Sequence, residues 1–483
     1  MQRTCSLLVL AFLAFLVWTS SAQRAFAFDR PNVLFLLSDD HRWDALGAAG
    51  NSAISTPNLD ALAGAGYWFP NATIAVSQCA PARFSLLSGL MPSQNGWYSN
   101  EHSRHRKAEL LSRLSTPTLP TLLTQAGYTT AFFGKWHLLP SPLKSGFTTA
   151  PMWMQKGSSY LDPTDVSRDD ELLRIQPKGY TQELIADAVI EFLEAQRTAK
   201  EPFFAWVSLT APHGPFGPTP RETEALYADL SESQLIPKSF PPDAGDAPFW
   251  KFWSPFWPVW RRAVTWRRYY AAVTHLDAHV GRIIKALDSS HTLRNTVVIF
   301  LGDNGFMMGD KEHSGKVLPY DGSIRVPLII RVPDTPTSAT PLKGAALPHA
   351  ISSTDISAWI SQLSGTTPPS QWPGRDLTPV FRGSDTEALS WLVSEWADEE
   401  GDDYGSFAFR AIRTAEYKLI LWKDQNPSVE LFHLVEDPFE RTNLAGIEAH
   451  DAALRAMLAP LLKWMEETSD PALTWTSLQS LSR

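Results

Sequence analysis

The chain has 483 residues, 44% hydrophobic and 19% charged, with a formal net charge of -9 and a pI near 5.8. Such a composition supports a large buried core and excludes a disordered chain. The acidic balance excludes a general nucleic-acid binder while leaving room for a local basic pocket that takes a small anion.

Residues 1–27 read as a secretory signal: Arg3, an apolar run from Leu7 to Val17, then small residues at Ser20-Ser21-Ala22 and Ala25-Phe26-Ala27 where a peptidase could cut. The run is too short for a comfortable membrane span. Export is therefore expected, to the periplasm, the outside or a secretory compartment, without membrane contact. Of the two cysteines, Cys5 would leave with the signal and Cys79 would remain without a disulfide partner.

Val33-Leu34-Phe35-Leu36-Leu37 is an unbroken apolar run of strand length, as expected of a strand buried on both faces of a parallel sheet. It ends in Ser38-Asp39-Asp40-His41. Two adjacent carboxylates at a buried strand end repel unless a cation sits between them, and oxygen ligands there suit calcium or magnesium. Taken alone, the pair reads first as a helix cap with an acidic first turn. Gln78-Cys79-Ala80-Pro81-Ala82-Arg83 follows, with Phe84 to Ser88 helical and Gly89 a plausible C-cap. Cys79 then falls at or just before a helix N-terminus, where the dipole favours anions and thiolates. A buried structural thiol is the plain alternative.

The same arrangement of strand and polar cluster recurs three times. Tyr128 to Phe133 runs into Gly134-Lys135-Trp136-His137, Phe203 to Leu209 into Ala211-Pro212-His213-Gly214, and Val297 to Leu301 into Gly302-Asp303-Asn304-Gly305. Helical patterns precede them, including Thr181 to Ala195 and Tyr269 to Leu287. Alternating helices and buried strands predict an α/β fold with a largely parallel sheet flanked by helices, in which ligands gather at the carboxyl ends of strands. Each polar residue alone reads as a surface group or a cap; four clusters on one edge read as a metal-assisted anion site. Lys316, in Gly315-Lys316, adds another cation close in sequence to Asp303.

The tryptophan-rich stretch 249–262 carries prolines that forbid an uninterrupted helix. It reads as an inserted loop packed on the main domain, or as a lid that stacks on sugar rings, or as a membrane-interface segment. After about Thr335 the regular patterns fade. Four short strands between Ser390 and His433 and a helix from Ala449 to Glu467 predict a small antiparallel sheet with one helix. The division expected is a signal at 1–27, a catalytic domain at 28–385 and a C-terminal subdomain at 386–483. Asn71-Ala72-Thr73 is a glycosylation sequon, usable only in a host that glycosylates exported proteins.

Cys79-Ala80-Pro81-Ala82-Arg83 with Ser85-Leu86-Leu87-Ser88-Gly89, and the C-terminal Asp437-Pro438-Phe439-Glu440-Arg441-Thr442-Asn443-Leu444, resemble the type I sulfatases of the alkaline-phosphatase-like superfamily. The likeness covers essentially the whole mature chain; Ala82 departs from it, serine being commonest there. The resemblance implies that a formylglycine-generating enzyme oxidises Cys79 to Cα-formylglycine. It implies that Asp39, Asp40, Asp303, Asn304 and the residue at 79 hold a divalent metal, calcium in preference to magnesium. Asn304 matches the sulfatases, where related phosphonate and phosphodiester hydrolases often carry histidine. Arg83, Lys135, His137, His213 and Lys316 fall at the family's remaining catalytic positions. A hydroxyl of the hydrated aldehyde is expected to attack sulfur, with Arg83 and Lys135 orienting it and Lys135 and Lys316 gripping sulfate. His213 is expected to protonate the leaving group and His137 to take the proton that lets sulfate go. The stretch from Asn51 to Leu62 and Gln94-Asn95-Gly96-Trp97-Tyr98 resemble sulfoglucosamine sulfohydrolases and other glycan sulfatases, so the expected substrate is a sulfated carbohydrate or other sulfated small molecule. His102, Arg104 and His105 are candidates to line its pocket or to be exposed loop residues. The competing expectations are a phosphonate monoester or phosphodiester hydrolase on the same site, and a catalytically dead glycan-binding protein. Oligomeric state is not legible.

Overall fold

A computed structural model describes residues 30–100, 109–157, 159–169, 171–236, 262–333, 343–383, 389–397, 408–423 and 425–481. The signal-like residues 1–27, the cluster at 102, 104 and 105, and the tryptophan-rich stretch as far as 261 lie outside the described residues. Among the described residues no helix is long and apolar enough to cross a membrane.

In chain order, β1 (Asn32–Ser38) is followed by α1 (Pro57–Ala65), β2 (Tyr67–Trp68), β3 (Asn71–Thr73) and α2 (Cys79–Ser88). Then come β4 (Thr129–Lys135), β5 (Thr149–Met154), β6 (Val166–Arg168), β7 (Glu171–Ile175), α3 (Thr181–Gln196) and β8 (Phe203–Ser208). The long α4 (Arg262–Ser289) leads to β9 (Thr296–Gly302), a short hairpin of β10 (Met307–Met308) and β11 (Ser314–Gly315), and β12 (Leu328–Arg331). β13 (Ala350–Ser352) and α5 (Ser353–Leu363) complete this part.

Nine strands form one sheet in the order β2-β12-β9-β1-β8-β4-β5-β6-β7. Its centre, β9-β1-β8-β4-β5, is parallel, and the outer strands are antiparallel. The absence of alternation in β1 has a direct cause. Val33, Phe35 and Leu37 enter the core on one face with Phe84 and Leu87 of α2 and Trp359 of α5. Leu34 and Leu36 enter the other with Ile185 and Val189 of α3 and Leu276 and Ile283 of α4. Each such side chain contributes about 1.5–3 kcal/mol by leaving water, so both pleat faces select apolar residues.

A second, four-stranded antiparallel sheet runs β14 (Trp391–Trp396), β15 (Phe409–Thr414), β16 (Tyr417–Trp422), β17 (Val429–His433). One face packs Ile412, Leu419 and Leu431 on Leu461 and Met465 of α6 (Asp451–Glu467). The other packs Phe409, Ile420 and Phe432 on Val76, Ala82, Met307 and Tyr320. Ala82 belongs to α2, so the small sheet shares a core with the helix that carries Cys79. Arg413 on β15 reaches further, to Asn71 Oδ1 on β3 at 3.0 Å, while Asn71 Nδ2 donates to the Pro348 carbonyl at 2.8 Å. The sequon asparagine is thus engaged through both its amide oxygen and its amide nitrogen.

Candidate active site

Parallel register sets where the polar clusters emerge. Ser38 lies opposite Gly302, and Leu37 and Gly134 both lie opposite Ser208. Asp39-Asp40, Asp303-Asn304, Lys135 and the segment that leads to His213 therefore leave the sheet along one edge. The approach of β4 to β8 is close: a Cβ at Gly134 would stand 2.0 Å from the Ser208 carbonyl oxygen, and φ is +85° there. No other residue fits.

Cys79 opens α2 and is fully buried. Its Sγ is 3.3 Å from Asp39 Oδ1 and 2.7 Å from Lys316 Nζ. One turn on, Arg83 finds the anion that its burial demands: Nε and Nη2 donate to Asp303 Oδ2 at 2.9 and 2.7 Å. Its Nη1 donates to the Lys135 carbonyl at 2.6 Å and to Ser208 Oγ at 2.5 Å. Lys135 Nζ meets Asp39 Oδ2 at 2.5 Å, while Asp40 Oδ1 takes Lys316 Nζ and Asn304 Nδ2, each at 2.5 Å. The Asp40 amide donates to Asp303 Oδ1 at 3.1 Å. His213 Nε2 stands 3.9 Å from Asp40 Oδ2, and its Nδ1 is 2.7 Å from the Gly214 carbonyl. A carbonyl can only accept, so Nδ1 carries a proton and Nε2 faces the site. His137, two residues beyond Lys135, has φ +60° and donates its amide to the Gln155 carbonyl at 3.1 Å.

Charge within this cluster is unevenly held. Burial would raise Asp39, but Lys135, then His213 and Arg83, outweigh it and keep its pKa well below the carboxylate range. Burial, then Asp39, raise Asp303 to about 7. The same two causes push the Cys79 thiol up to about 12. His213 is lowered by burial and Lys135, whereas Asp40 holds Lys316 well above the ordinary lysine value against its burial.

Asp39, Asp40, Cys79 and Asp303 offer ligand atoms within 4.8 Å of one another. Asn304 Oδ1 is buried beside them without a hydrogen-bond partner. Three buried carboxylates and an orphaned amide oxygen fit a hard divalent cation. Sequence reasoning missed Ser208, which receives Arg83, and Tyr160, whose hydroxyl donates to the His213 carbonyl at 2.7 Å. Ser208 ends an apolar strand just before His213 and carried that much signal; Tyr160 lies in a stretch with no motif.

Three cationic side chains among buried carboxylates, at the carboxyl edge of a parallel sheet, suit an enzyme acting on esters of a small oxyanion. The chain belongs to the sulfatase family, whose model matches residues 31–366, and is a sulfuric ester hydrolase. A model of the N-sulphoglucosamine sulphohydrolase C-terminal region matches residues 309–467. An ulvan-active sulfatase of Formosa agariphila is 30% identical over 453 residues, 91% of this chain and 82% of the relative. An N-acetylglucosamine-6-O-sulfatase of Bacteroides thetaiotaomicron is 25% identical, covering 91% of this chain and 86% of the relative. Among solved structures, a protein in complex with its substrate D-glucosamine-2-N,6-O-disulfate superposes with TM-score 0.78 at 24% identity, over 92% of this chain and 99% of the other. A phosphonate monoester hydrolase of Agrobacterium radiobacter shares the fold as well, with TM-score 0.71 at 22% identity over 91% and 96% of the chains.

Proposed function

We propose that this sulfatase removes sulfate, as an ester or N-sulfate, from a sulfated carbohydrate, using formylglycine made from Cys79 and a calcium ion, after export of the chain. The observation that carries the reading is the setting of the thiol. The thiol is buried at the point where Lys316 and three carboxylates meet, with Lys135 and Arg83 holding Asp39 and Asp303 beside it. Lys316 Nζ stands 2.7 Å from Sγ, so a cation faces the reacting position directly.

Hydrated formylglycine supplies one hydroxyl to attack sulfur and a second whose deprotonation frees the sulfate. Asp39, Asp40, Asp303 and Asn304, with the side chain at 79, would hold the cation, which supplies positive charge that makes a hydroxyl beside it more acidic. Lys135 and Lys316 bind the sulfate oxygens on which charge grows in the transition state. Arg83, fixed by Asp303 and Ser208, holds the carboxylate edge in register. His213 presents Nε2 to the leaving oxygen, and its lowered pKa makes its protonated form a stronger acid. His137 receives the proton from the second hydroxyl.

The names of the similar proteins, with ulvan and N-acetylglucosamine-6-O-sulfate among them, support a carbohydrate substrate. Maturation requires a formylglycine-generating enzyme as partner, and residues 1–27 have the composition of an export signal. Mass measurement of the tryptic peptide containing position 79 tests the reading: an aldehyde is expected, and an unmodified thiol in active enzyme overturns it. On the same preparation, sulfated sugars should be hydrolysed faster than aryl phosphates. N-terminal sequencing of exported protein should find a start beyond Ser21.

A further inference from the structure

His213 is held from behind by a segment outside the family motif. Tyr160 is 2% exposed, and its hydroxyl donates to the His213 carbonyl at 2.7 Å. That oxygen otherwise takes a long 3.4 Å bond from the Phe216 amide. The Tyr160 main chain is itself pinned to the first turn of α3: the Thr181 amide donates to the Tyr160 carbonyl at 2.9 Å, and the Thr181 hydroxyl to the Ser159 carbonyl at 2.6 Å. Three residues earlier, a Cβ at Gly157 would stand 2.7 Å from Lys135 Cδ and 2.8 Å from Thr210 Cγ2. Thr210 in turn accepts the His213 amide at 3.1 Å on its carbonyl and the Gln182 side-chain amide at 2.5 Å on its hydroxyl. Gly157 and Tyr160 thus brace the stem of Lys135 and the backbone of His213. Burial, with Asp39 and Asp40 nearby, holds the Tyr160 phenol well above its ordinary pKa.

We propose that Tyr160 is a positioning residue for the proton-donating histidine: its hydroxyl, by fixing the His213 carbonyl, sets how close Nε2 comes to the leaving-group oxygen. The proposal rests on the reading of His213 as the acid. An acid misplaced by a fraction of an ångström matters most where the leaving group is basic and least where it departs unaided.

The test measures kcat/KM of matured enzyme on phenyl sulfate, whose phenolate is basic, and on 4-nitrophenyl sulfate, whose phenolate is not. His213→Ala should lose about 10²–10⁴-fold on phenyl sulfate and much less on the nitrophenyl ester. Tyr160→Phe should show the same bias at reduced size, roughly 10-fold or more on phenyl sulfate and within about 3-fold on the other. p-Aminophenylalanine at position 160, which restores a donor, should bring phenyl sulfate turnover back toward wild type. Near-UV circular dichroism corrects each rate for the folded fraction. Equal losses of Tyr160→Phe on the two esters, or none, with the bias intact in His213→Ala, overturn the positioning role alone. Absence of bias in His213→Ala overturns the acid reading and the proposal with it.

Discussion

Two buried charge clusters lie on either side of one loop and differ in what they leave unpartnered. Past Lys316, Asp321 takes Arg413 through Nε and Nη2, both at 3.0 Å, Lys418 at 2.6 Å and Arg325 at 3.3 Å. Lys418 also pairs with Glu440 at 2.6 Å, and Glu440 Oε2 accepts the Asp321 amide at 2.7 Å. Cations face anions throughout, and the loop is tied to β15 and β16. In the active site Lys135, Lys316 and Arg83 meet Asp39, Asp40 and Asp303 as well, but the three carboxylates also face one another and Asn304 Oδ1 has no partner. Each cluster holds one lowered and one raised carboxylate: burial notwithstanding, Arg413 and Lys418 keep Asp321 well below the carboxylate range as Lys135 keeps Asp39, while burial raises Glu440 and lifts Asp303 to about 7. A cluster that serves stability closes on itself, and one that serves binding keeps a deficit for its ligand.

The contrast breaks most visibly under substitution. Cys79→Ala should abolish turnover with an unfolding midpoint close to wild type, and Lys316→Ala should lower turnover of the folded fraction by about 10²–10³-fold. Arg413→Met takes two charge-assisted hydrogen bonds from Asp321 while Lys418 and Arg325 remain, and should cost about 1.5–3 kcal/mol in urea unfolding, while the folded fraction keeps turnover within a few-fold. An Arg413→Met protein of full stability, or a Lys316→Ala enzyme of full activity, would dissolve the distinction.

A ligand that fills the deficit should be felt on one side alone. Calcium at a hundredfold excess over its Kd should stabilise the wild type by about 2.7 kcal/mol. Arg413→Met should keep that gain in thermal melts, and Asp40→Asn should lose most of it. Equal gains in the two variants would place the cation elsewhere.

How much was legible follows the same division. Asp39, Asp40, Asp303 and Asn304 stood out because apolar runs end at them abruptly, and a parallel sheet brings such ends to one edge. The central strands were legible because burial on both faces suppresses alternation. The anchoring cluster was not: Asp321, Arg413 and Lys418 come from a loop and two antiparallel strands, and nothing local marks a long-range ion pair. Asp321 follows Lys316 with no apolar run to mark it, and its partners on β15 and β16 emerge only from the packing of the small sheet on Tyr320 and Met307. Tyr160 escaped for a related reason, since its contribution is one hydroxyl on a carbonyl and its flanks show neither periodicity nor a motif.

Acid titration gives the smallest and most specific separation. Asp321 has a folded pKa well below its unfolded value near 3.8, set by Arg413, Lys418 and Arg325 against burial. A depressed carboxylate stabilises fully above the unfolded pKa, and its contribution is lost as pH falls from there through the folded value. Wild-type stability should therefore decline below about pH 4, and Arg413→Met, which removes a principal cause of the depression, should decline less steeply. Glu440 acts in the other sense: burial raises its pKa despite Lys418, so its contribution is present below about pH 4.5 and is lost as pH rises through its folded value. Glu440→Gln should abolish that loss and leave the decline below pH 4 in place, measured as urea midpoints across pH 3–7. Because these groups lie outside the Asp39, Asp40, Cys79 and Asp303 cluster, turnover of the folded fraction should not follow the stability curve. If activity and stability moved together in Glu440→Gln, the anchor and the active site would be a single coupled network, and Asp321 would belong to the chemistry of Lys316 rather than to the attachment of its loop.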